Sequence, residues 1–173
     1  MLMDLKVLNF VIVFLGVLLG GYLTHIAREE VEYSKKYLKV FCLTLGFIST
    51  FVGIFFFNEF LIWFMVGILI AFLYRNIFFY IGILLIASLS FKNSFLVYSI
   101  IFIVFGLTYG LISSYESNES KLKKIIFNLI KASLVLFIPL FLLFFNVNLQ
   151  AYVGLGSGGL LIGLILMIVK VKI

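Results

Sequence analysis

The longest stretches of this chain without a charged side chain are Val7 to Ala27, Val40 to Asn58, Asn93 to Tyr115 and Ala132 to Val169. A helix needs about 20 mostly apolar residues to cross the hydrocarbon of a bilayer, and the last stretch has room for nearly two crossings. Lipid offers no partner for a backbone N–H or C=O, so spanning segments must be helices or a closed barrel. Barrel strands alternate apolar and polar residues; these stretches do not. The expected fold is therefore all-α, a polytopic transmembrane helical bundle forming one domain over residues 1–173. With 65% hydrophobic residues and a mean hydropathy of +1.30, the chain carries more apolar surface than a soluble fold of 173 residues can hide.

Breaks at charges, Asn and Ser divide the chain into seven predicted spans, near 5–27, 37–57, 59–74, 77–91, 95–113, 125–146 and 151–169. The opening MLMDLK followed by an apolar run has no small-x-small cleavage site at its end and reads as a retained first span rather than a signal peptide. Two polar segments interrupt the pattern, Arg28 to Lys36 and Ser113 to Lys124, both read as loops. Placing the first in the cytoplasm puts Arg28, Lys35, Lys36, Lys39, Arg75, Lys121, Lys123, Lys124, Lys131, Lys170 and Lys172 on that side. Only Lys6 and Lys92 of the 13 basic residues then fall outside. The positive-inside rule thus gives an outside N-terminus and a cytoplasmic C-terminus in a multi-pass protein of the cell membrane. The third and fourth apolar cores, Phe60 to Leu73 and Ile77 to Phe91, are short enough to suit a re-entrant hairpin instead. That alternative would carry Arg75 into the membrane at a cost of a few kcal/mol, which favours two full crossings.

A weak internal similarity links the two halves. Gly16-x-x-x-Gly20 precedes Glu29, Glu30 and Lys35-Lys36, and Gly106-x-x-x-Gly110 precedes Glu116, Glu119 and Lys123-Lys124. The two units share a predicted orientation, as a parallel three-plus-one-plus-three repeat would require. A third pair, Gly159/Gly163, lies in the last span. Glycines four apart share a helix face and let backbones approach closely, so all six are expected to pack helices.

Few residues offer chemistry. The Gly154 to Gly159 run lacks the Lys-[Ser/Thr] of a phosphate-binding P-loop and reads as close packing, with a loosened helix beside Ser157 as the alternative. Pro139 removes a backbone hydrogen bond in mid-span and predicts a kink. Lys131 and Asn128 share a face of the sixth span, where a lysine snorkels to the headgroups. Asn58 and Glu59 suit a helix cap, and His25 sits at a span end. One His, one Cys (Cys42) and one Asp exclude a nucleophile–His–acid set or a metal cluster built within the chain, so no enzyme activity, cofactor or metal is expected.

The basic balance reads as topology rather than as affinity for nucleic acid. Two functional readings remain. The first is a non-enzymatic membrane subunit or scaffold that offers Arg28, Glu29, Glu30, Lys35 and Lys36 to a membrane-protein partner or a second copy. The second is a small transporter or channel whose path would be lined by Asn128, Lys131, Pro139 and Ser157, with Arg75 joining it in the hairpin topology. The apolar middle of every span favours the first.

Overall fold

The computed structural model describes residues 2–56, 60–88, 92–117, 121–144 and 149–169. Within them lie seven α-helices: α1 (Leu2–Ile26), α2 (Arg28–Phe56), α3 (Phe60–Leu73), α4 (Ile77–Ser88), α5 (Lys92–Glu116), α6 (Leu122–Ser133) and α7 (Leu149–Val169). A 3₁₀ helix over Leu134–Phe144 continues α6. Three helical stretches, Leu8–Ile26, Val97–Glu116 and Leu122–Phe141, are long and apolar enough to cross a membrane. Leu61–Leu73, Ile77–Ser88 and Tyr152–Leu166 form shorter apolar helices.

Helix directions can be read from which residues meet. α1 and α5 run parallel: the Asn9 amide donates to Ser99 Oγ (2.7 Å) near one end, and the Thr24 hydroxyl donates to the Leu111 carbonyl (3.0 Å) near the other. Between these bonds the two glycine pairs face each other. A Cβ on Gly16 would lie 3.1 Å from the Ile103 carbonyl oxygen, and one on Gly20 would lie 3.0 Å from Gly110 Cα. The backbones touch because neither helix carries a side chain there, which is how small residues hold helices together without a hydrophobic driving force. α2 runs against α5, with Lys39 paired to Glu116 and the Tyr98 hydroxyl donating to the Ser49 carbonyl (3.0 Å). α6 runs against α1: Ile125 and Leu129 pack at Gly21, and the Phe137 ring packs on Phe14 and Phe10.

α4 occupies the interior, buried at every residue from Tyr80 to Ser88, as a helix apolar all round must be. It runs with the 3₁₀ segment, since Asn76 donates to the Ala132 carbonyl (3.4 Å) and Gly82 meets the Leu136 carbonyl and the Pro139 ring. It runs against α7, whose Gly156, Gly159 and Gly163 receive Leu84, Tyr80 and Ile77 in turn. On another side of α7, Gly67 of α3 meets the Leu155 backbone and Gly158 meets the Phe64 backbone. Only Tyr74–Asn76 join α3 to α4, and α4 starts beside Gly163, so α3 runs parallel to α7. Successive helices therefore alternate in direction.

Three expectations are corrected. Of the segment Ser113 to Lys124, expected as a loop, Ser113 to Glu116 end α5 and Leu122 to Lys124 begin α6. The charged segment Arg28 to Lys36 is not a loop but the first turns of α2, separated from α1 by Ala27 alone. It contains neither Gly nor Pro, its acidic residues Glu29 and Glu30 sit at the positive end of the helix dipole, and Glu32 precedes Lys36 at the favourable i,i+4 spacing. Around Pro139 the chain forms 11 residues of 3₁₀ helix rather than one kink. The proline has no N–H for the Val135 carbonyl, and the segment lies close against Gly82. The expected cap at Asn58 and Glu59 lies outside the described residues.

Candidate functional site

Alternating directions bring the C-terminal ends of α1, α3 and α5 to the same end of the bundle as the N-terminal ends of α2, α4 and α6. Among the described residues, that end holds most of the charge: Arg28, Lys35, Lys36, Lys39, Arg75, Lys121, Lys123 and Lys124, with Glu29, Glu30, Glu32 and Glu116.

The first turns of α2 are fastened to the end of α5 from one side only. Lys35 Nζ sits 4.8 Å from the centre of the Tyr115 ring and Arg28 Cζ 5.9 Å from it, within the range of cation–π attraction. Glu116 pairs with Lys39 and lies 3.8 Å from Lys35. Val31 is buried on the same side. The opposite side of the helix carries Glu29, Glu30, Lys36 and two tyrosines that project freely, Tyr33 at 87% and Tyr37 at 76% exposure. Of the five residues proposed for docking, Arg28 and Lys35 are thus turned to α5, and Glu29, Glu30 and Lys36 face outward. Further along the outward face the side chains become apolar, through Val40, Phe41, Phe47, Ile48 and Phe51, all exposed.

The residues proposed for a solute path are dispersed. Asn128 and Lys131 are exposed on the outer face of α6, Arg75 is exposed in the link between α3 and α4, and Pro139 is buried against Gly82. Ser157 is fully buried in α7, and its hydroxyl has no hydrogen-bond partner among the described residues. Its neighbours Gly156 and Gly158 face α4 and α3, so it sits in the interior among those helices, whereas Asn128 and Lys131 are at the surface. The Gly154 to Gly159 run is regular helix with Gly156, Gly158 and Gly159 in close contact with neighbouring helices. The six glycines singled out in the sequence all sit at helix contacts, Gly16, Gly20, Gly106 and Gly110 between α1 and α5, Gly159 and Gly163 between α7 and α4.

Sequence reasoning missed the Tyr115 platform, the Asn9–Ser99 bond and the packing at Gly67 and Gly82. The lone glycines in otherwise bulky apolar helices were the available signal for the last two. Among the described residues, no three His, Cys, Asp or Glu side chains come together. Comparison with family models, with curated proteins and with solved structures returned no match.

Proposed function

We propose that the chain crosses the cell membrane seven times, with its N-terminus outside and its charged end in the cytoplasm, and serves as a non-enzymatic membrane subunit or scaffold. One observation carries this reading: the first turns of α2 are clamped to α5 through Lys39, Glu116 and Tyr115, while Glu29, Glu30, Tyr33, Lys36 and Tyr37 are held outward on a rigid helix. A fixed ridge of aromatic and charged side chains costs little entropy to dock, and tyrosines are enriched where proteins bind one another. The partner is a membrane protein or a second copy of this chain. The buried apolar α4, in contact with α5, α7 and the 3₁₀ segment, fills the interior that a solute path would need.

A parallel repeat of three spans on each side of α4 accounts for a further regularity. Asn9 and Ser99 are 90 residues apart and bonded, and the same spacing relates Gly16 to Gly106, Gly20 to Gly110 and Thr24 to Ser114, all along the α1–α5 contact. α3 and α7 meet at Gly67 and Gly158 with nearly the same spacing. Two equivalent helices packed in parallel about a local two-fold axis produce this pattern.

The second reading, a small transporter or channel, draws on the Ser157 hydroxyl, without a hydrogen-bond partner among the described residues, and on the 3₁₀ segment at Pro139. Photo-crosslinking in intact cells separates the two. Benzoylphenylalanine in place of Tyr33 is expected to give one adduct of defined mass, and the same probe at Leu69, exposed on α3, none. No adduct at Tyr33, together with solute flux through the purified chain in liposomes, would replace the scaffold with the transporter.

A further inference from the structure

α6 begins in a way that a helix in water would not tolerate well. Lys121 occupies its N-cap position without a side-chain hydrogen bond to the first turn, no acidic residue lies in that turn, and Lys123 and Lys124 come immediately after. Cations at the positive end of a helix dipole repel both the dipole and one another. All three lysines are exposed at the surface. A surface groove lies among them, lined by Lys123, Lys124, Phe127 and Asn128.

Beyond the groove the outward face of the helix turns apolar. Phe127 is 67% exposed, and Leu134, Ile138 and Phe141 continue that face, the last at 69%. Lys131 stands between, about 10 Å along the axis from Lys124 at the α-helical rise. The surface therefore has a cationic, hydrogen-bonding head at one end of a long hydrocarbon ridge. A free phosphate would use only the head, whereas a phospholipid uses both.

We infer that the outer face of α6 is a binding site for an anionic phospholipid of the cytoplasmic leaflet, with the phosphate between Lys123 and Lys124, the Asn128 amide donating to it, and an acyl chain along Phe127, Leu134 and Ile138. The inference rests on the proposed transmembrane orientation, which sets the headgroup plane at the start of α6. Lysines at an anionic leaflet attract its headgroups electrostatically. Asn128 and Lys131 thereby belong to a lipid contact rather than to a solute path.

The test uses the full chain in nanodiscs of phosphatidylcholine containing a minority of phosphatidylglycerol, with retained lipid counted by native mass spectrometry. Wild type is expected to retain phosphatidylglycerol several-fold above its share of the bilayer, and Lys123→Gln/Lys124→Gln to lose that enrichment. Lys123→Arg/Lys124→Arg should keep it, because arginine binds phosphate at least as well. Lys36→Gln, an exposed lysine on α2 at the same end, should leave it unchanged. Excess inorganic phosphate should not displace the lipid, and Phe127→Ala should lower retention. Retention in proportion to bilayer composition would overturn the proposal, as would equal loss in Lys36→Gln or full displacement by inorganic phosphate. Failure of the chain to enter nanodiscs at all would instead overturn the transmembrane reading on which it rests.

Discussion

Alanine substitution along the glycine contacts should separate positions where backbone meets backbone from positions where backbone meets a flexible side chain. At Gly20 a Cβ would fall 2.9 Å from the Leu111 amide nitrogen and 3.0 Å from Gly110 Cα, and closer still to the Leu107 carbonyl. None of these can move without displacing α1 from α5. Overpacking of this kind costs about 1–3 kcal/mol, and replacing a helical glycine with alanine returns about 1 kcal/mol. Because every contact is to backbone, the cost falls at the upper end of that range, and Gly20→Ala should lose up to about 2 kcal/mol net. At Gly163 the nearest atom to the same Cβ is Ile77 Cγ1 at 3.0 Å, part of a side chain that can rotate. There the helical gain offsets the contact, and Gly163→Ala should be within about 0.5 kcal/mol of wild type. Gly110 should behave like Gly20, and the pair Gly20→Ala/Gly110→Ala should cost less than the two single losses together, because one outward shift of α1 relieves both. The assay is equilibrium unfolding in mixed detergent micelles. Gly163→Ala matching or exceeding the loss at Gly20 would refute the idea that rigidity of the facing atom sets the cost.

Three further outcomes are expected from the contacts. Glu116→Gln should release the first turns of α2 and raise amide exchange over residues 28–36. Global stability should fall by about 1 kcal/mol or less, because the pair is partly exposed; unchanged exchange would show that Val31 and Tyr115 suffice. Asn9→Val should cost about 0.6 kcal/mol, the mean for a hydrogen bond between membrane helices, as read by the same unfolding assay. Pro139→Ala should let the 3₁₀ segment relax toward α-helix, whose rise per residue is about 0.5 Å smaller. Spin labels at Lys131 and Phe141 should then move about 4 Å closer in pulsed dipolar spectroscopy, and an unchanged distance would assign the 3₁₀ form to packing on α4 rather than to the proline.

The all-helical character was legible in the sequence for one reason: long uncharged stretches without strand-like alternation suit a helix, which satisfies its own backbone groups, so they translate directly into elements. The helical segments fall where Val7 to Ala27, Asn93 to Tyr115 and the other apolar runs place them, and the GxxxG pairs mark real helix contacts. The start of α2 was not legible, because a cluster of charges reads as a loop when hydropathy is the signal. Its helicity depends on the spacing of Glu32 and Lys36 and on the Tyr115 face, which the fold supplies from about 80 residues away in the chain. The interior position of α4 was hidden for a related reason. A helix that faces lipid and one that faces other helices have the same composition when both surroundings are apolar, and only Gly82, Gly156 and Gly159 betray close neighbours. Asn128 and Lys131 were recognised as unusual, but periodicity along α6 does not say whether a shared face looks inward or out.

The most direct test of the transmembrane account is cysteine labelling from outside intact cells, in a Cys42→Ala background with single cysteines at Asp4, Asn76, Ser94 and Ser117. Seven crossings with the charged end inside require a membrane-impermeant maleimide to reach positions 4 and 94 and to reach 76 and 117 only after the cells are opened. Labelling of position 76 from outside would contradict the account, because it would place the Tyr74–Asn76 turn on the wrong face and reduce α3 and α4 to a re-entrant hairpin.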